Sequence, residues 1–187
     1  NGDIYVDASG NVSTSTINNV DDYIKLGSTL PKANMAWRND FRLGNFNFGF
    51  MFTARLGGVV FSRTQAMLDY YGVSEASAAA RDNGGYVVNG SDIVDANRWY
   101  TAAAGGSAVP QYYTYQASNV RLQEASIGYT FPRKMLGDVC ELTLQLVGRN
   151  LWMIYNKAPF DPESIATTGN YYQGIDYFMM PATRNFG

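Results

Sequence analysis

The chain has 187 residues and a net charge of −2, and 16% of its residues are charged, against about 25% in an average globular domain. This small, scattered charge gives no electrostatic basis for binding nucleic acid. The 14 Tyr, 10 Phe and 19 Gly residues favour aromatic-rich strands joined by glycine-containing turns. Without histidine, the chain lacks the usual general base, the usual partner of a Ser or Cys nucleophile and histidine metal ligands. We therefore expect neither an enzyme nor a bound cofactor or metal.

Residues 1–32 are rich in Asn, Asp, Ser, Thr and Gly, and only residues 4–6 and 23–26 have strand-like composition. This composition predicts a long loop region with local pairing. No charged region followed by an apolar stretch opens the chain, so no signal peptide is predicted in it. No run approaches the roughly 18–20 consecutive apolar residues that a membrane-spanning helix needs, so a helical span is not expected.

Residues 33–56 are predicted to form two strands of about eleven residues each around the turn Gly44-Asn45. Successive side chains on a strand point to opposite faces, and pairing of Leu43 with Phe46 would place both apolar faces on the same side. Strands of soluble proteins average about 5–6 residues, whereas a tilted strand that crosses a bilayer needs about 9–11. The length favours a membrane β-barrel, with Trp37, Phe41, Phe46, Phe48, Phe50 and Phe52 towards lipid and Arg38, Asp40, Arg42 and Arg55 towards the lumen.

A soluble β-sandwich also alternates apolar and polar residues, so alternation alone leaves both architectures open. The energetics still identify the wet face. A Lys or Arg on the lipid face near the bilayer midplane costs about 2–4 kcal/mol, against a typical net stability of about 5–15 kcal/mol. The charged face must therefore line a lumen or meet water.

Residues 57–118 show no long alternation and are predicted to form a long loop region. Residues 64–71 and 74–81 have helical composition, with Ser74 as a plausible N-cap and Gly84 as a plausible stop. Loops of this length are usually functional or disordered. This one is rich in aromatic residues, among them Trp99, Tyr100, Tyr112, Tyr113 and Tyr115.

Two further strands are predicted at residues 119–131 and 141–152. In the first, Val120 and Leu122 fall on the polar parity, which indicates either a bulge or the point where the strand leaves the membrane. In the second, Trp152 occupies the place of an interfacial aromatic residue. Its predicted lipid-facing residues are Leu142, Leu144, Leu146 and Trp152, and its predicted lumen-facing residues are Gln145 and Arg149.

The connections alternate between short and long along the chain. Gly44-Asn45 and residues 132–140 are short, whereas residues 57–118 and 153–181 are long, and a last strand is predicted to start within residues 182–187. Outer-membrane barrels have short periplasmic turns and long extracellular loops, whereas a sandwich has no reason to place every long loop at one end. We therefore predict transmembrane hairpins at residues 33–56 and 119–152, and extracellular regions at residues 1–32, 57–118 and 153–181.

Three segments carry a resemblance to a known family. Residues 119–132, NVRLQEASIGYTFP, resemble the "RL…(L/I)GYT(L/F)P" strand near the C-terminal end of SusC/RagA-type TonB-dependent outer-membrane transporters. GRNL at residues 148–151 is similar to the family's "G(Q/R)NL" strand end, and FDPE at residues 160–163 to its "FDPE" loop. Weaker similarities lie at residues 26–31 and 55–58. The order and spacing of these motifs extend over nearly the whole chain.

The resemblance implies a fold, partners and a cargo. The family fold is an all-β barrel of about 22 strands plugged by an N-terminal domain, of which this chain would hold the last five or six strands without the plug. The whole protein would import a bulky nutrient, most often an oligosaccharide and sometimes a peptide. It would use energy passed on by TonB, with a SusD-like surface lipoprotein over the extracellular mouth.

The long loops would then touch the lipoprotein or the substrate. The candidate contacts are Trp99, Tyr100, Tyr112, Tyr113, Tyr115, Phe160, Asp161, Tyr171 and Tyr172. For each aromatic residue the alternative is packing within the loop, and Asp161 before a proline is also suited to fixing the loop conformation. Two other functions remain as alternatives. One is a soluble carbohydrate-binding β module without catalytic activity, and the other, weaker one is a glycoside hydrolase that uses Asp161 and Glu163.

Overall fold

The computed structural model describes residues 4–6, 12–14, 21, 23–88, 92–105, 109–164 and 172–187. Contacts divide the chain into two compact units. The sheet unit comprises Ser28–Val59, Gln116–Ser164 and Met180–Gly187, and the loop unit comprises Asn1–Gly27, Val60–Tyr115 and Ile165–Met179.

The strands and helices follow in chain order. The first half contains β1 (Ile4–Val6), β2 (Val12–Thr14), β3 (Ala33–Leu43), β4 (Phe46–Leu56), β5 (Val59–Ser62), α1 (Arg63–Tyr70), α2 (Glu75–Asp82) and β6 (Tyr86–Val88). The second half contains β7 (Asp92–Val94), α3 (Ala96–Ala104), β8 (Thr114–Gln116), β9 (Asn119–Phe131), β10 (Leu142–Asn156), β11 (Ile175–Asp176) and β12 (Asn185–Phe186). Short 3-10 helices lie at Pro110–Tyr113 and Arg133–Leu136.

The sheet unit is built on a five-stranded sheet in the order β12-β10-β9-β4-β3, with antiparallel neighbours. The predicted hairpin is confirmed residue by residue, since β3 and β4 have 11 residues each and Leu43 pairs with Phe46. The prediction for β9 is confirmed over its full range. The second strand was predicted too short, because β10 starts at Leu142 and still pairs with β9 at Tyr155 and Asn156.

A bulge in β9 restores its alternation. Glu124 pairs with Met51 and Leu122 pairs with Phe52, so Gln123 is one extra residue against β4. An extra residue reverses the parity of everything beyond it, which places Val120 and Leu122 on the apolar face. The parity break at Val120 and Leu122 was predicted to be either a bulge or the point where the strand leaves the membrane, and the structure shows a bulge.

The register shows which connections share an end of the sheet. Tyr129 pairs with Phe46 on one side and with Leu144 on the other, so the Gly44-Asn45 turn and the connection from β9 to β10 lie at the same end. At the opposite end, Asn119 pairs with Arg55 and Asn156, where the two long connections leave the strands. Short connections therefore occupy one end of this sheet and long ones the other.

In the described part of the loop unit, the three α-helices are each opened by a side-chain cap. Ser62, Ser74 and Asp95 accept hydrogen bonds from the backbone three residues further on, which satisfies N–H groups that have no partner within the helix. The predicted helices at 64–71 and 74–81 are confirmed to within one residue, together with the Ser74 cap. The strand-like segment 23–26 forms no strand, and α3 lies in a stretch predicted as loop.

Two apolar clusters hold the loop unit together. The first contains Ala80, Val88, Val94, Ala96, Trp99 and Tyr100, and the second contains Ala66, Ala104 and Tyr113 with Phe61 packed against them. Among the described residues, no helix has the length and apolar character to cross a membrane.

Candidate functional site

One face of the five-stranded sheet is apolar along nearly its whole length. Cross-strand pairing places the predicted lipid-facing residues of β3, β4 and β10 on this one face, where they are joined by Ile127, Tyr129 and Phe186. Thirteen of its large side chains are between 39% and 75% exposed: Met35, Trp37, Phe41, Leu43, Phe46, Phe48, Leu56, Ile127, Leu142, Leu144, Leu146, Trp152 and Phe186. Phe50 and Phe52 are partly covered by neighbouring rings, including Trp37 at 5.6 and 6.0 Å.

The exposed apolar area of this face is larger than soluble monomeric proteins usually expose. With about 150–250 Å² per aromatic side chain, the six aromatic members alone leave roughly 600 Å² uncovered. Soluble monomers rarely expose contiguous apolar patches larger than a few hundred Å². Asn39 is a polar exception on this face, and its buried Nδ2 has no hydrogen-bond partner in the structure. The face as a whole fits a non-aqueous environment.

The opposite face of the same sheet carries the charges. All six predicted lumen-facing residues lie on it by register: Arg38, Asp40, Arg42, Arg55, Gln145 and Arg149. Glu124, which is not among the predicted lumen-facing residues, joins two of them. Its oxygens lie 3.5 Å from Arg38 Nη1 and 3.2 Å from Arg149 Nε, and Arg38 also pairs with Asp40 at 2.9 Å. Glu124 shares the parity of Ser126 and Thr130, and this alternation is the sequence signal that places it on the charged face.

Exposed ion pairs of this kind contribute only about 0–1 kcal/mol each to stability, because water screens them. Arg38, Asp40 and Arg149 are all more than half exposed. These ion pairs therefore indicate the environment of this face and contribute little to stability. The two faces of one sheet differ so strongly that they must meet different surroundings.

A second charged cluster lies on β9 beyond the bulge. Arg121 is 3% exposed, and its Nη2 contacts Asp161 Oδ1 at 2.9 Å and Glu163 Oε2 at 3.3 Å. Asp161 also accepts a hydrogen bond from its neighbour, the backbone N–H of Glu163, at 3.0 Å. Asp161 thus has the partners that a residue fixing the loop conformation would have. The sequence signal that could have identified Arg121 is the pair of carboxylates in the FDPE motif, Asp161 and Glu163, to which an arginine can bind.

The structure separates the candidate aromatic contacts into buried and exposed groups. Trp99, Tyr100 and Tyr113 are buried within the loop unit, where the Trp99 ring stacks on Tyr86 at 4.3 Å. Tyr112 and Tyr172 are 46% and 45% exposed. Tyr115 and Phe160 are partly buried, and Tyr171 lies outside the described residues. Among the described candidates, Tyr112 and Tyr172 are the most accessible.

Tyr113 is tied to a buried carboxylate. Its hydroxyl donates a hydrogen bond to Asp69 Oδ2 at 3.0 Å, and Gln65 Nε2 donates to Asp69 Oδ1 at 2.9 Å. Burial is the main cause that raises the pKa of Tyr113, and the negative charge of Asp69 raises it further. Tyr86, Tyr100 and Tyr115 also have raised pKa values, mainly through burial.

These shifts predict alkaline destabilisation of the loop unit. The pKa of Tyr113 in the folded state lies above its value of about 10 in the unfolded state. Its contribution to the free energy of unfolding is therefore complete below pH 10 and falls by about 1.4 kcal/mol per pH unit above pH 10. Tyr113→Phe is expected to flatten this dependence. Denaturant titrations between pH 8 and 12 would measure it through Trp99 fluorescence, with Trp37 and Trp152 replaced by Phe. If the free energy of unfolding fell with pH equally steeply in wild type and in Tyr113→Phe, the expectation would be contradicted.

Comparisons with known proteins relate the sheet to a barrel family. No family model matches the chain. The chain is 28% identical over 193 residues to TonB-dependent receptor P3 of Formosa agariphila, covering 99% of this chain and 18% of that protein.

The fold also matches two solved structures. Against the RagAB peptide importer in its closed-closed state, the TM-score is 0.64 at 15% identity, over 97% of this chain and 19% of that one. Against its open-open state, the TM-score is 0.62 at 14% identity, over 99% and 21%.

The chain thus spans about a fifth of the length of the proteins it matches. The receptor match extends along nearly the whole chain, and the structural matches cover the same length. Strands β9 and β10 of the sheet carry two of the three motifs by which the sequence resembles SusC/RagA-type transporters, and FDPE follows β10. The chain is therefore similar over nearly its whole length to a segment of a TonB-dependent receptor, and its fold matches that of a segment of the RagAB peptide importer.

Proposed function

We propose that this chain forms part of the wall of an outer-membrane active transporter that imports bulky nutrients. The observation that carries the proposal is the two-faced sheet, whose strands β3, β4, β9 and β10 have 11, 11, 13 and 15 residues. A tilted strand needs about 9–11 residues to cross a bilayer, so each of the four is long enough. The apolar face meets lipid, and the face with Arg38, Glu124 and Arg149 lines the aqueous interior.

The proposed orientation follows from the connections. Gly44-Asn45 and the β9–β10 connection lie at the periplasmic rim, and the regions 1–32, 57–118 and 153–181 lie on the extracellular side. Tyr112 and Tyr172 are the exposed aromatic residues that we assign to contacts with substrate or lid, with Tyr115, Phe160 and Tyr171 as further candidates. Trp99, Tyr100 and Tyr113 form the internal frame that supports them.

The cargo is an oligosaccharide or a peptide, and the transport cycle uses TonB and a SusD-like surface lipoprotein. The solved structures that this fold resembles belong to a peptide importer, which supports import as the activity. Aromatic side chains suit either cargo, since their flat apolar faces stack on sugar rings and on side chains alike.

Uptake by the full-length protein tests this proposal. A strain without the gene is expected to lose growth on one class of polymer, either an oligosaccharide or a peptide source, and to regain it with the wild-type gene. Loss of TonB should abolish the same uptake. Fractionation should place the protein in the outer membrane, with heat-modifiable migration on gels. A full-length protein that is freely soluble and binds glycans without importing them would instead support the carbohydrate-binding module.

A further inference from the structure

Arg121 connects β9 to the start of the segment between β10 and β12. Its guanidinium contacts Asp161 and Glu163 as described above, and its Nη1 donates to Asn150 Oδ1 at 3.3 Å. Asp161 is also well covered, with 12% of its side chain exposed. Removing one partner of a buried ion pair leaves a charge without compensation, whereas the intact pair adds little net stability. Such a pair is therefore better suited to fixing a position than to stabilising the fold.

Asn150 connects the same point to the end of that segment. It sits in the β10 irregularity with φ +53°, a left-handed conformation that Asn adopts more readily than most residues. While its Oδ1 accepts from Arg121, its Nδ2 lies 3.0 Å from Ala182 O and 3.3 Å from Thr183 O. One side chain thus links Arg121 to the residues that lead into β12.

The start of the segment is itself a compact turn. Asn156 Nδ2 donates to Phe160 O at 2.7 Å, and the backbone N–H of Ser164 donates to Asp161 O at 3.2 Å. Because hydrogen bonds within the turn connect its residues, fixing the positions of Asp161 and Glu163 also fixes the rest of residues 156–164. All of these contacts lie within the sheet unit.

We propose that Arg121 and Asn150 form a clasp that fixes both ends of the β10–β12 connection to the sheet. The clasp sets where this connection leaves the wall and where it returns. Arg121 and Asn150 are therefore positioning residues for the ligand contacts made beyond residue 164, and this last step rests on the proposed import function. The clasp itself is independent of what is transported.

Hydrogen exchange of the full-length protein in detergent or lipid tests the clasp. Arg121→Gln is expected to speed exchange of the amides in 157–164 about ten- to hundredfold, the effect of losing a charged hydrogen bond. Asn150→Gly keeps the left-handed backbone accessible and removes the side-chain bonds, so it should speed exchange mainly in residues 182–187. Arg149→Gln is the matched control, because it removes an exposed ion pair on the adjacent residue and should leave both segments unchanged.

We expect exchange at the two ends of the β10–β12 connection to respond to different variants, and KM for uptake to change in the same variants. Asp161→Asn combined with Glu163→Gln releases only the first end, and it replaces Arg121→Gln if that variant loses heat-modifiable migration. In variants that keep this migration, we expect KM for uptake to rise severalfold at unchanged protein level. Unchanged exchange in both segments would overturn the clasp, and faster exchange with unchanged KM would overturn its positioning role. A wild-type protein without uptake would refute the import function but leave the exchange result valid.

Discussion

Leu146→Arg in the full-length protein is expected to lower the free energy of unfolding by about 2–4 kcal/mol, the cost of Lys or Arg on the lipid face of a barrel near the midplane. Leu146 lies in the middle of the apolar face and is 58% exposed in the structure. In water, an arginine at so exposed a position would change stability by only about 0.5 kcal/mol. A large effect therefore requires lipid around this side chain.

Gln145→Arg is the matched control for this variant. Gln145 is the preceding residue of β10, is also exposed, and points to the opposite, charged face. Its replacement should leave the free energy of unfolding within about 0.5 kcal/mol of wild type. Both values would come from denaturant titrations in lipid vesicles. Equal effects of the two variants would contradict the assignment of the faces.

Trp99→Ala is expected to cost the loop unit about 3–5 kcal/mol of local stability, the usual range for removing a buried tryptophan. Trp99 is 6% exposed, stacks on Tyr86 and belongs to the cluster with Val88 and Val94. Its loss would open a cavity in a small core. Pulse proteolysis of the full-length protein should detect this as faster cleavage within residues 60–115.

Tyr71→Ala is the control, because Tyr71 is 68% exposed and its ring lies against the Tyr70 ring at 5.1 Å, outside the cluster that contains Trp99. Its cleavage should remain close to wild type. Trp99 would be a ligand contact and not a packing residue if Trp99→Ala abolished uptake while its resistance to protease stayed unchanged.

The wall of the barrel could be predicted from sequence because its rules are local. Alternation with period two, a two-residue turn and strand length together determined the β3–β4 hairpin, including the pairing of Leu43 with Phe46. The β9 bulge was visible as a break in parity at Val120 and Leu122, but periodicity could not distinguish it from a strand end. The decision depends on pairing with Phe52 and Trp152, which are distant in sequence.

Composition and the Ser74 cap predicted α1 and α2, but α3, the packing of the loop unit and the clasp could not be predicted. A helix as short as α3 shows little periodicity, and α3 has no acidic residue in its first turn to mark its start. Whether Trp99 is buried depends on Tyr86, Val88 and Val94 folding back over it. By sequence parity Arg121 falls on the apolar face of β9, and the local pattern establishes neither the bulge that reverses this nor its partner Asp161, 40 positions later.

The most direct test of the barrel-wall assignment is the accessibility of single spin labels placed one at a time at residues 142–147. The full-length protein would carry Cys140→Ser, which removes its exposed native thiol, and would be measured in lipid vesicles. We expect residues 142, 144 and 146 to collide with oxygen dissolved in lipid, and residues 143, 145 and 147 with a water-soluble nickel complex. Uniform contact with the aqueous reagent along all of these positions would contradict a membrane-embedded wall.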